Sequence, residues 1–180
     1  MNSNAKWVTT TIILTFFLAL VFGGVSNVLV EKINIYLAAL ILILIVAIGI
    51  AFDMIGMAVA TCDEAQFHAR AAKKQKGAKE SIRILKNREK NTNICNDLMG
   101  DICGIISGSI SALIALRLAS LINIDITIVS LVLGAIIAAI TVGGKAMGKT
   151  IAVKKAGNII YGVGKIMAFI NPVKDKNKIK

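Results

Sequence analysis

Proline is nearly missing from this chain of 180 residues: the single one, Pro172, stands close to the C-terminal end. Ahead of it no pyrrolidine ring interrupts a helical hydrogen bond, so any helix break inside an apolar segment falls to glycine. Histidine is as scarce. His68 stands alone in a basic stretch with only Glu64, one turn earlier, at ligand spacing, and reads as a helix-surface residue. No nucleophile–base pair can be assembled, so an enzyme is not expected. Three cysteines, Cys62, Cys95 and Cys103, form no CxxC pair and no zinc spacing, and read as small apolar fillers. Aromatics reach only 5%, and the basic segments hold just Phe67, Tyr161 and Phe169. Single-stranded nucleic-acid binding wants cations interleaved with rings, and that pattern is missing too.

Charge is also thin, at 17% of residues against ~25% in ordinary soluble domains. What replaces it is long uncharged sequence: residues 7–30, 33–52, 104–116 and 126–144 carry no charge, and the mean hydropathy is +0.76. A helix needs ~20 mostly apolar residues to cross ~30 Å of hydrocarbon. The expected fold is therefore all-α, a polytopic membrane protein with about four spans near 7–30, 33–61, 94–121 and 126–149. The first run is too long for a signal-peptide core, is preceded only by Lys6 and lacks an A-x-A site, so it is read as a retained span. Together these spans make a transmembrane domain over 1–152.

The net charge of +11 is unevenly spread. Lys and Arg gather in residues 70–90 and 145–180, whereas the turns at 31–34 and 121–126 hold only Lys32. This asymmetry is the positive-inside pattern. It puts both termini and the 62–93 segment on the cytoplasmic side and predicts attraction to anionic lipid headgroups. Within 62–93, Ala, Lys, Glu and Arg favour two helices, at about 63–76 and 78–90, joined at Gly77. Phe67, Ile82 and Leu85 give them a sparse apolar face, suited to the membrane surface or a partner. Asp63 and Glu64 read as capping residues. Residues 153–171 alternate lysines with Ile, Tyr, Met and Phe and read as an interfacial helix; the basic tail 172–180 reads as disordered.

Carboxylates inside apolar spans are the exception to this picture. Asp53 lies eight residues before Thr61, and Asp101 seven residues after Ile94. At ~1.5 Å per residue both fall ~10–12 Å from the expected cytoplasmic boundary. Each would cost at least ~2.5–3.5 kcal/mol facing lipid, so such residues normally face protein or an ion path. Asp97 is one turn from Asp101 on the same face, with Asn96 beside it. Two ionised carboxylates in one apolar pocket need a shared proton or a cation between them. Hard oxygens suit Mg²⁺, Ca²⁺ or Na⁺. The plainer alternatives are structural hydrogen bonding for Asp53 and Asp101, and for Asp97 an acid at a helix N-terminus. No basic residue is expected in the inner half of these spans; Arg117, near an outer end, snorkels or pairs with Asp125.

Small residues crowd the third span. Gly100, Gly104 and Gly108 form a double GxxxG, which favours close helix approach in lipid, and Gly143-Gly144 sits at a similar depth on the fourth. Residues 143–150, GGKAMGKT, also match G-x-x-x-x-G-K-[ST]. A phosphate-binding loop needs a strand before it and a helix after it in an α/β domain. Here an apolar span precedes it, and nucleotide binding is not expected.

Residues 52–101 resemble the transmembrane domain of the CorB/CorC–cyclin-M magnesium transporter family. FDMIGMAVAT (52–61) stands where the family has an FFSxSETAL-like segment, a basic region up to NREK (87–90) follows, and Gly100-Asp101 matches a G-N pair. Gly143 to Lys149 is a weaker counterpart of a G-E-x-x-P-K stretch. The resemblance implies a metal site in which Asp53 falls on the first serine and Asp101 on the asparagine, so carboxylate replaces neutral oxygen. The family's glutamates fall on Gly56 and Gly144. It implies transport of Mg²⁺, and of Co²⁺ as a second cargo, by a homodimer through conformational exchange, with Na⁺ as a coupling ion. Asp53, Asp101, Asp97 and Asn96 would serve the ion, and Gly100, Gly104, Gly143 and Gly144 helix movement. Nucleotide control through CBS domains is not expected. Two other classes stay open: a non-transporting scaffold or metal sensor acting through the basic helices, and a proton or monovalent-cation path.

Overall fold

The computed structural model describes residues 9–10, 12–21, 23–24 and 33–170. These residues are helical almost throughout, and no strand occurs among them. Helix α1 (Ile12–Val21) lies inside the first expected span, whose remaining residues are mostly outside the described set. Helix α2 (Ile35–Thr61) has 27 residues, or ~40 Å. The Asn34 carbonyl starts its hydrogen-bond ladder by accepting from the Ala38 N–H at 3.0 Å. Three short helices follow: α3 (Ala65–Ala72), α4 (Ala78–Lys86) and α5 (Arg88–Asn93). A π-helical turn over Ile94–Leu98 leads into α6 (Met99–Ile122), and α7 (Ile126–Lys154) and α8 (Ala156–Ile170) complete the order. Three helical stretches are long and apolar enough to cross a bilayer: Ile35–Thr61, Arg88–Ile122 and Ile126–Lys154.

The helix irregularity does not fall where the glycines suggested. Gly143 and Gly144 lie inside continuous α7, while the break in regular α geometry comes at Ile94–Leu98, where there is no glycine. A π turn shifts the ladder from i→i−4 to i→i−5, which requires no special residue. The same continuity removes the phosphate-loop match. All eight residues of GGKAMGKT belong to α7, so their amides are turned along the helix and form no cradle.

Two units divide the chain. The first takes its described residues from Met1–Ala51 and Leu98–Lys145, the second from Phe52–Asp97 and Ala146–Lys180. In the first, Ala38, Leu42 and Val46 of α2 pack on Ile110 and Ile114 of α6, with Leu133 and Ile137 of α7 beside them. Ala115, Ala119 and Val129 form a second small core. Arg117 ties the same unit together by donating from Nη1 to the Ile33 carbonyl, a contact the sequence reading did not include. Asp125 instead accepts the Thr127 N–H at 2.7 Å and caps α7. Hydrogen bonds from Thr127, first through its side chain and then its backbone, hold the Asp125 carboxyl below its ordinary value. Much of α7 is apolar and uncovered, including Leu131, Ile136 and Ile140, a surface that water would penalise and acyl chains would not.

The second unit is built around Phe67, which is fully buried among Ala58, Val59, Ile84, Leu85, Ala152 and Ile160. The sparse apolar face on the basic helices thus finds its partner within the chain: Phe67 and Leu85 are buried and Ile82 packs beside them. Gly77 adopts the left-handed φ of +89°, as a tight joint between α3 and α4 requires. A Cβ there would come within 2.7 Å of the Lys165 backbone nitrogen on α8. Gly164 lies so close to Gly77 and Ser81 that a side chain would overlap both. Ser81 Oγ, at this crossing, bonds to the Gly77 carbonyl at 2.8 Å and lies 3.2 Å from that of Ile160. Helix α8 therefore packs on α4, while Ile166, Phe169 and Ile170 remain uncovered. Arg70 and Lys165 both lie over the Tyr161 ring, at 4.6 and 4.5 Å from its centre.

Candidate functional site

The last third of α2 carries the residues that matter here. Asp53 is buried, only 6% exposed, and its Oδ2 has no hydrogen-bond partner. Lys149 of α7 is its ion-pair partner among the described residues, with Nζ 3.8 Å from that oxygen. This is an ion pair without a hydrogen bond, at the outer edge of contact. The sequence reading places no basic residue in the inner half of the spans; Lys149, carried on a helix that continues through Gly143 and Gly144, is the exception. The pairing has a physical motive: a buried carboxylate left without a counter-charge would be strongly destabilising.

One turn along α2 from Asp53 is Gly56, on the same helix face. Asn96, from the π turn, fills the space a side chain at Gly56 would take, so any residue larger than glycine there would overlap it. Asn96 Oδ1 is likewise buried and without a hydrogen-bond partner. Thr92 adds a hydroxyl 3.4 Å from the Gly56 carbonyl. The second unit thus presents two buried side-chain oxygens, one carboxylate and one amide, neither satisfied by a donor. Buried polar atoms are nearly always paired, so an unpaired one calls for an explanation such as strain, a catalytic role, or a bound water or ion.

The other expected ligands stand differently. Asp97 is exposed in the second unit and Asp101 is exposed in the first. Among the described residues, no three His, Cys, Asp or Glu side chains gather into a metal-holding group. Gly144 approaches Ile50 so closely that a side chain would collide with it. Gly104, Gly108 and Gly143 meet no described atom within 4 Å of where a Cβ would stand, and at Gly100 only Lys145 Nζ comes near, at 3.8 Å. Of the double GxxxG, the described chain uses little for its own packing.

Arg88 holds the neighbouring end of α2. Its guanidinium donates to the Ala60 carbonyl at 2.8 Å and the Cys62 carbonyl at 2.6 Å, closing acceptors that a helix C-terminus leaves open. Burial pushes the Cys62 thiol up, with Arg88 opposing and Asp63 adding to the rise, so Cys62 stays a protonated, unreactive filler at neutral pH. Asp63 Oδ1 accepts the Ala65 N–H at 3.0 Å and caps α3, while Glu64 pairs with His68 at 3.2 Å. No protein-family model, curated protein or solved structure matches the chain.

Proposed function

We propose that the chain carries divalent metal cations, Mg²⁺ first and Co²⁺ second, across a membrane through an oxygen site built on Asp53. The observation that carries this reading is the pair of buried, donor-less oxygens, Asp53 Oδ2 and Asn96 Oδ1. A carboxylate and a neutral amide oxygen are the hard ligands that Mg²⁺ takes, with water completing its octahedron. On this reading Lys149 is the resident counter-charge. Its side chain is half exposed (47%), so the ammonium can swing outward as the cation enters, exchanging one positive partner of Asp53 for another. The resemblance to magnesium transporters supports the same assignment, and the distribution of basic residues favours cytoplasmic termini. Asp97, on the exposed surface of the second unit, would attract cations to it.

Purified protein reconstituted in liposomes, with Mg²⁺ or Co²⁺ entry read by an internal indicator, tests the proposal. Asp53→Asn should reduce flux to background and Asn96→Ala should reduce it strongly, with helical content unchanged. Lys149→Gln should tighten Mg²⁺ binding, because it removes the competing cation. Divalent flux at the wild-type level in Asp53→Asn would falsify the assignment. Proton flux without divalent flux would move the site to the monovalent reading. A phenotype confined to charge reversal in residues 70–90, with Asp53→Asn tolerated, would move it to the scaffold reading.

A further inference from the structure

The second unit has a recess that neither Asp53 nor Asn96 lines: a cleft of about 360 Å³ between the end of α2, the α4–α5 corner, the π turn and α8. Its floor is apolar, with Ile55 and Val59 from α2, Ile94 from the π turn and Met167 from α8. Its rim is cationic, with Arg83 on α4 and Lys90 on α5, and no Asp or Glu lines it. Both cations are exposed, and neither forms an ion pair with a carboxylate among the described residues. The rim is also held in place. Asn87 Nδ2 donates to the Arg83 carbonyl at 3.1 Å and Asn91 Nδ2 to the Ile84 carbonyl at 2.8 Å, so the corner that presents the cations is tied to its own backbone.

We infer that this cleft binds one anionic phospholipid, with the headgroup phosphate between Arg83 and Lys90 and the first part of an acyl chain along Ile55, Val59, Ile94 and Met167. Three features favour a lipid over a soluble phosphate. The floor offers a free phosphate nothing, whereas it removes chain methylenes from water. Two of the floor segments are ends of membrane-length helices, where headgroups and upper acyl chains lie. The positive rim without acids selects an anionic headgroup over a zwitterionic one. The cleft volume suits a phosphate and part of a chain, leaving the rest of the lipid in the bilayer. This inference goes beyond the transport reading and does not depend on it.

Native mass spectrometry of the full chain in detergent, titrated with phosphatidylglycerol or phosphatidylcholine of identical chains, gives the test. Wild-type protein should hold phosphatidylglycerol about tenfold more tightly, from about fivefold per cation moderated by partial screening. Arg83→Gln with Lys90→Gln should abolish that preference, and Arg83→Lys with Lys90→Arg should largely keep it. Met167→Trp, filling the floor, should weaken both lipids. Lys73→Gln with Lys74→Gln, exposed lysines outside the cleft, should leave the preference unchanged. Equal affinity for the two lipids, or loss of preference in the Lys73/Lys74 variant to the same degree, overturns the inference. Displacement of the lipid by glycerol 3-phosphate as readily as by whole phosphatidylglycerol also overturns it, in favour of a simple phosphate pocket. Each variant is scored only where its helical content matches wild type, and the charge-preserving pair supplies a folded control.

Discussion

The two units of this chain solve the same packing problem with different material. The first joins aliphatic side chains on long helices, with Ala38, Ala115 and Ala119 letting backbones come close. The second uses short helices around one buried ring, Phe67, and admits polar groups to its interior: Asp53, Glu80 and Ser81. Its helix crossing is made by glycines, Gly77 and Gly164, at backbone-to-backbone distance. Polar interiors are costly unless each group is answered. The second unit answers the Ser81 hydroxyl with the Gly77 carbonyl and leaves one oxygen each on Asp53 and Asn96 without a donor. The first unit also buries a polar side chain, Ser107, but its hydroxyl bonds to the Gly104 carbonyl at 3.0 Å, so that unit reads as framework and the incompletely satisfied interior lies in the second.

That contrast can be broken or sharpened by substitution. The largest effect is expected from Phe67→Ala, which should cost about 3–5 kcal/mol in the second unit. Hydrogen exchange should show α4 and α8 losing protection while residues 35–51 of α2 keep theirs; uniform loss would mean that the two units unfold as one. Gly164→Ala follows, at about 1–3 kcal/mol from overpacking against Ser81 and the Gly77 carbonyl. The parallel change in the first unit, Gly108→Ala, meets no described atom within 4 Å and should be neutral or stabilising by up to ~1 kcal/mol through helix propensity. Equal losses at both glycines would erase the distinction. Arg88→Ala should cost about 1–2 kcal/mol by reopening two carbonyls at the end of α2, read as a lowered Tm in detergent.

The smallest effect belongs to the first unit and depends on pH. Asp125 is held below its ordinary value of 3.8, so its contribution to stability is present above that value and is lost as pH falls through the lower folded value. Asp125→Ala should lower Tm slightly at neutral pH, and the difference from wild type should vanish in strong acid. A difference that persists there would mean that the side chain contributes by packing alone.

The sequence made the helical class and the three membrane-length helices legible, because twenty uncharged residues allow few other structures. Local chemistry was legible for the same reason of proximity: Gly77 at a joint, Asp63 as a cap, Glu64 with His68 one turn on. Less readable were contacts between residues far apart in the chain. Lys149 beside Asp53 depends on α7 continuing through Gly143-Gly144, which glycine propensity argues against. The π turn has no residue signature, yet it carries Asn96, and Gly56 admits that amide. Arg88 looked like one more basic residue in a cytoplasmic run, since nothing local marks it as the donor to carbonyls 26 and 28 residues away.

That separation has a consequence in time. Ala60 leaves the ribosome 28 residues before Arg88. At ~5–20 residues per second, the interval is roughly 1.5–6 s. Throughout it the last carbonyls of α2 are without the guanidinium that will bond them, which has not yet emerged. The end of α2 is thereby left open while the chain is still growing. Arg88, on arrival, bonds both carbonyls and closes the segment from 61 to 87 into a loop.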